Sequence, residues 1–240
     1  MINKIQLEKY AIKQETSYKN ILREYTQNLF LRSFYTKEGS QNYLFKGGTA
    51  YRIAYGSPRF SEDLDFTGVH NGTTYEKVLK EVLYDLSSEG INLDLKEAKN
   101  TSGGYLANIT VNIFGEDIEI KNQISFKDRE KKKADVLLIS SDLVPAYTML
   151  LLDKKTMVGE KVNALIERAK PRDFFDLHFI HVSEKLRKEL HISVEQRNKI
   201  IEKVRKQGKK RLERELKMFL PKSCWRMIDD LPSVLIKDIS

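Results

Sequence analysis

The sequence predicts an α+β domain followed by a C-terminal helical bundle, and three features carry that prediction. Helical periodicity opens the chain, β-like runs alternate with helices through its middle, and the pattern from Asp142 onward is almost wholly helical. Strands and helices segregated in this way suit an α+β unit with a helical unit appended. The boundary is expected near residues 135–145, with units over 1–140 and 141–240.

Residues 3–38 read as helix, with Ile5, Leu7, Ile12, Ile21, Leu22, Tyr25, Leu29 and Phe30 at helical spacings. After Gly39-Ser40 the apolar run Tyr43-Leu44-Phe45 suits a strand, and a helix over 49–55 starts directly on Gly47-Gly48. Gly56-Ser57-Pro58 ends it. A strand over 64–67 and an amphipathic helix over 75–88 follow. Runs over 91–98, 105–114 and 118–126, joined by Gly103-Gly104 and Gly115-Glu116-Asp117, suit antiparallel hairpins. A short strand over 136–139 closes this region, and Pro145, Pro171, Gly208 and Pro221 punctuate the helices beyond it.

Composition narrows the class. The 240 residues are 40% hydrophobic, ordinary for a chain that buries a real core. No stretch approaches the roughly 20 apolar residues that cross a bilayer, and the charged N-terminus has no signal-peptide core. No membrane association and a cytoplasmic home are expected. Cys224 is the single cysteine, which excludes an internal disulfide and a cysteine-based zinc site. The net charge of +8 favours a polyanionic partner, nucleic acid above all. Basic runs lie at 127–133 and 203–217, and each also reads as a solvated helix face. His70, His178, His181 and His191 have no metal-ligand spacing and read as surface or boundary residues.

The chemistry-bearing segment is YLFKGGTAYRIAYGSPRFSEDLDFTG, residues 43–68. Two glycines between a strand and a helix let the backbone approach a ligand closely. Free N–H groups at the helix start, with the Thr49 hydroxyl, can hold phosphate oxygens. In Asp63-Leu64-Asp65 a strand would point both carboxylates to one face and Leu64 to the core. Paired carboxylates suit a Mg²⁺ ion that also binds substrate phosphates. A Gly-Gly turn or an Asp-x-Asp strand alone is unspecific; their order and spacing carry the signal.

The segment resembles the signature of DNA polymerase β-type nucleotidyltransferases, a Gly-Gly/Ser turn followed by Asp-x-Asp. Lys46-Gly47-Gly48-Thr49-Ala50 with Arg59 and Ser61-Glu62-Asp63-Leu64-Asp65-Phe66 is more closely similar to the AbiEii/AbiGii toxin family. A second block agrees: Gly159-Glu160-Lys161-Val162-Asn163-Ala164-Leu165, Arg168, then Lys170-Pro171-Arg172-Asp173-Phe174-Phe175-Asp176-Leu177. The resemblance spans residues 44–180 and implies a mixed-sheet polymerase β-type domain followed by helices that contribute to the active-site cleft.

That resemblance implies roles. Asp63 and Asp65 would hold Mg²⁺, with Mn²⁺ the alternative ion. Lys46, Gly47, Gly48, Thr49, Arg59, Ser61, Lys161, Arg172 and Asp173 would bind the NTP. Lys161 and Asp176 join the two aspartates as catalytic residues. Asp173 can also be a helix cap, and Asp176 can act by holding Lys161 or Arg172. Many relatives use a third carboxylate from a neighbouring strand, often as base for the incoming hydroxyl. Glu119 in Asp117-Ile118-Glu119-Ile120-Lys121 offers one and is the expected third metal ligand, with Lys121 facing the site to contact phosphate as the alternative. The implied reaction is transfer of an NMP from an NTP to an acceptor hydroxyl. RNA, with tRNA 3′ ends leading, is the expected acceptor, and a cognate antitoxin protein the expected partner. A transferase acting on protein or a small molecule, and a non-catalytic nucleic-acid-binding module, are the alternatives.

Overall fold

The computed structural model describes residues 2–68, 72–126 and 133–239. It divides into two compact units, Met1–Gly56 with Phe60–Leu152, and Ser57–Arg59 with Asp153–Ser240. His70 and all but Lys133 of the basic run 127–133 lie outside the described residues.

The first unit is built on a seven-stranded mixed sheet ordered β3-β4-β5-β2-β1-β7-β6. Its strands are β1 (Tyr43–Lys46), β2 (Asp63–Gly68), β3 (Asn92–Thr101), β4 (Gly104–Ile113), β5 (Glu116–Ser125), β6 (Ala134–Ile139) and β7 (Tyr147–Leu152). β2 lies between antiparallel β1 and parallel β5, so the Asp-x-Asp strand is central. β7 departs from the expected all-helical pattern after Asp142. The run Tyr-Thr-Met-Leu-Leu-Leu pairs parallel with β1 and antiparallel with β6, extending the sheet beyond the expected boundary. A short apolar run is ambiguous between strand and helix until its pairing partners are known.

The expected helix over 3–38 is two helices, α1 (Lys4–Lys13) and α2 (Tyr18–Phe34). Glu15 takes a left-handed φ of 51° and breaks the run. Ser17 then caps α2 by accepting from the Asn20 N–H. α3 (Gly47–Tyr55) starts directly on the glycines and ends at Gly56, whose left-handed conformation is a common helix stop. α4 (Gly72–Ser88) completes the unit's long helices. The core is aromatic-rich. Phe34 packs on Phe66 with ring centroids 5.1 Å apart, and Tyr75 on both Tyr43 and Tyr105 at 5.2 Å. On β5, Ile118, Ile120, Asn122 and Ile124 are buried, whereas Asp117, Glu119 and Lys121 are exposed, as strand alternation requires.

The second unit contains α5 (Lys154–Arg168), α6 (Pro171–Val182), α7 (Val194–Arg205), α8 (Lys209–Leu216) and α9 (Trp225–Ile239). A cluster including Leu165, Phe174, Phe175, Ile200, Leu212, Ile228 and Leu231 forms its core. Asp153 caps α5 through the Thr156 N–H, and Ala169 ends it in a left-handed conformation. Much of the basic run 203–217 is tied into ion pairs, among them Lys206–Glu202, Arg211–Glu215 and Lys217–Glu213 one helical turn apart. These are solvated, self-neutralising helix faces. No helix among the described residues is long and apolar enough to cross a membrane.

Candidate functional site

In the sheet unit, the two halves of the signature touch. Gly47 sits at φ +84°, and a Cβ built there would lie 2.2 Å from Asp65 Oδ2. The carboxylate therefore occupies the space a side chain would need, at the first residue of α3. Any L-residue at this position meets both the unfavourable left-handed backbone and the collision. The N-terminal end of α3 carries the positive end of the helix dipole, a favourable setting for the Asp65 charge and for phosphate.

Two buried side chains brace the approach to Asp63. The Thr49 hydroxyl donates to the Asp63 carbonyl at 2.5 Å, and Thr49 is 1% exposed. From α2, the Gln27 side-chain amide donates to the Ser61 and Glu62 carbonyls, both at 3.0 Å. Leu64 and Phe66 are fully buried, which sends Asp63 and Asp65 to the opposite, half-exposed face. Register sets Lys46 beside Asp65 on β1, and Lys121 and Gln123 beside Asp63 and Asp65 on β5.

A cavity of about 350 Å³ opens against Asp63 on the β4–β5 side of β2, with Arg23, Glu62, Lys96, Glu119 and Lys121 in its lining. Glu119 thus shares a cavity with Asp63, but it precedes the residue paired with Asp63 on the strand. Among the described residues, no three His, Cys, Asp or Glu side chains gather into a metal-holding group. Two oxygen donors still fit Mg²⁺, which is commonly held by one or two carboxylates plus substrate phosphates and waters.

In the helical unit, Asp176 is the centre of a buried charge network. Arg59 forks onto it, Nε to Oδ1 at 2.7 Å and Nη2 to Oδ2 at 2.9 Å, and Lys161 Nζ donates to Oδ2 at 2.6 Å. Arg59 is 3% exposed, Asp176 1% and Lys161 8%. Burial alone would raise the Asp176 pKa, but the Arg59 and Lys161 charges and hydrogen bonds outweigh it and hold the carboxyl down at about 2. The carboxylate keeps the Lys161 ammonium company in a poorly solvated place, where an unpaired cation would be costly.

Several expected phosphate ligands have other employment. Thr49 spends its hydroxyl on the Asp63 carbonyl and is buried, so it braces the strand that carries Asp63 and Asp65. Asp173 is fully buried, with its oxygens taken by Arg168 at 2.8 and 2.9 Å and by the Lys170 N–H at 3.1 Å. It is a cap and a clasp across the α5–α6 turn. Arg59 is committed to Asp176, a partner that places it in the helical unit. Arg172 is half-buried on the first turn of α6, and Ser61 is half-buried with its carbonyl held by Gln27. His178 and His181 both face Asp238, at 2.9 and 3.6 Å. Gln27 and Arg23 carry no motif; the one sequence signal for Gln27 is Thr26-Gln27-Asn28, a polar triplet inside an otherwise buried helix face.

The fold is shared with solved structures of other proteins. MenT4, a nucleotidyltransferase toxin from Mycobacterium tuberculosis, superposes with a TM-score of 0.66 at 16% identity, covering 100% of this chain and 91% of that one. JHP933 from Helicobacter pylori superposes with a TM-score of 0.58 at 18% identity, covering 93% and 94%. At these identities the likeness is one of fold. No curated protein matches the sequence. The family described as nucleotidyl transferase AbiEii toxin, type IV toxin–antitoxin system, matches residues 29–231, so the chain belongs to the AbiEii family of nucleotidyltransferase toxins.

Proposed function

We propose that this nucleotidyltransferase uses Mg²⁺, with Mn²⁺ as the alternative ion, to transfer an NMP from an NTP to an RNA 3′ hydroxyl, with tRNA the leading acceptor. The observation that carries the reading is Asp65 seated on Gly47, because it brings a carboxylate of the metal pair to a helix start suited to phosphate. A divalent ion held by Asp63 and Asp65 would neutralise phosphate charge and make the attacking oxygen more nucleophilic.

The chain's own groups have separable roles in this reading. Gly47 makes room for the Asp65 carboxylate at the start of α3, Gly48 leaves the backbone beside it bare toward the triphosphate, and Lys46 adds positive charge beside Asp65. Thr49 and Gln27 hold the strand that carries Asp63. Lys161, ion-paired with Asp176, is the proposed phosphate contact of the point-charge kind. In-line displacement brings the acceptor hydroxyl in opposite the departing pyrophosphate. The cavity against Asp63 lies across β2 from β1, the strand leading into α3, and we assign it to the acceptor end. Glu119 in that cavity is the candidate to accept the hydroxyl proton.

The excess of basic residues favours RNA over a protein or small-molecule acceptor. The decisive experiment incubates the protein with each labelled NTP and purified tRNA, alongside total protein. Label should enter tRNA, and Asp63→Asn with Asp65→Asn should abolish it. Unchanged transfer by the double variant would sink the metal assignment, and label in protein alone would sink the RNA assignment. In cells, we propose that the activity arrests growth from the cytoplasm and that a cognate antitoxin restrains it. Expression should stop growth, and the double variant should not.

A further inference from the structure

The helical unit carries a second basic feature, a groove of about 690 Å³ with Arg187, His191 and Arg197 in its lining. It shares no residue with the Arg59–Asp176–Lys161 network. Arg197 stands on the first turn of α7, whereas Arg187 and His191 come from the segment joining α6 to α7. Leu190 and Ile192 add an apolar strip. Among the described lining residues Asp238 is the one acid, and it is already engaged by His178 at 2.9 Å and faced by His181 at 3.6 Å.

Arg187 and Arg197 make no ion pair among the described residues, unlike Lys206, Arg211 and Lys217. On α8 and its flanks, basic side chains meet glutamates one turn away. Arg197 Nε, by contrast, is buried and has no hydrogen-bond partner among the described residues. An N–H without an acceptor is costly, and an acceptor seated in the groove would relieve that cost for the half-buried Arg197 side chain if the guanidinium turned toward it. Guanidinium groups present planar pairs of donors that match phosphate oxygens. The apolar strip beside them suits a sugar or base better than an isolated inorganic ion.

We propose that this groove grips backbone phosphates of the RNA acceptor, using none of the residues assigned to the chemistry. The proposal rests on RNA being the acceptor class. It gives a place for a polyanion on a unit where several other basic side chains are paired with acids. An acidic protein seated in the groove is the competing occupant, and the test separates the two.

The full chain, its Arg187→Ala/Arg197→Ala variant and its Arg187→Lys/Arg197→Lys variant are titrated into fluorescein-labelled tRNA, between about 50 and 200 mM salt. The alanine variant should bind about tenfold more weakly, with a salt slope shallower by roughly 1 to 2. The lysine variant should recover the slope, because charge remains, and only part of the affinity. Thermal unfolding and transfer to a short RNA oligonucleotide should match the parent, since neither arginine belongs to the chemistry. Unchanged tRNA affinity and slope in the alanine variant overturn the groove assignment. So does loss of antitoxin neutralisation with tRNA binding intact, which would make the occupant protein. If the parent binds no tRNA yet still transfers NMP elsewhere, the groove and the RNA acceptor fall together while nucleotidyl transfer stands.

Discussion

Asp65 Oδ2 lies 2.2 Å from the position a Cβ on Gly47 would occupy, so the helix-start glycine and the β2 aspartate are one packed unit. The first glycine is needed for the enzyme's own carboxylate, before any ligand arrives. Adding a methyl group must push Asp65 away or unwind the start of α3.

Gly47→Ala should therefore lower the transfer rate at least about tenfold, since strain of roughly 1–3 kcal/mol acts directly on Asp65. Gly56→Ala is the control. Gly56 is also left-handed, at φ +76°, but a Cβ there meets nothing within 4 Å. It should cost about 1 kcal/mol of stability with a near-parental rate. Steady-state kinetics and urea melts on both variants check this, and equal rate losses would mean that backbone strain alone is responsible.

Spacing in the sequence marks Gly47-Gly48 and Asp63-x-Asp65 because both are local patterns, and helix or strand periodicity places most elements for the same reason. What it cannot carry is who pairs with whom. Thr49 is expected to hold phosphate, and its hydrogen bond to the Asp63 carbonyl is visible only once β2 is in place. Arg59 reads as part of the nucleotide motif, yet its partner Asp176 is 117 residues further along. β7 looks like the start of the helical region because an apolar run shows its strand character only once β1 and β6 flank it.

Asp176 should be the most sensitive position in the helical unit. Asp176→Asn leaves Arg59 and Lys161 buried without a counter-charge and should cost roughly 3–5 kcal/mol. Lys161→Met should cost less, because the Arg59 fork still satisfies the carboxylate. Denaturation midpoints should follow that order while Lys161→Met nonetheless loses transfer activity. A Lys161→Met variant with full activity would remove the lysine from the chemistry.

The same network sets an acid limit. The Asp176 carboxyl is held at about 2, below its ordinary 3.8. A lowered pKa means stability that is fully present above the ordinary value and lost as pH falls through the native one. The loss should amount to about 2 kcal/mol between about pH 4 and pH 2. Unfolding free energy measured across that window should fall for the parent and be flatter for Asp176→Asn. Parallel curves would mean that Asp176 is not the titrating group.

Thr49 separates positioning from binding. Its buried hydroxyl donates to the Asp63 carbonyl, so Thr49→Val removes the donor while keeping the shape. Removing the donor from this part-buried hydrogen bond costs roughly 1 kcal/mol, and the strand carrying Asp63 loses a brace. The rate of transfer should fall several-fold, with more Mg²⁺ needed for half-maximal rate and little change in KM for the NTP. Thr49→Ser keeps the hydroxyl and should restore most of the rate. A hydroxyl that contacted phosphate would give the opposite division, a raised KM for the NTP with an unaltered metal requirement. Titrating NTP and Mg²⁺ separately for the three proteins therefore decides whether this threonine serves the strand or the substrate.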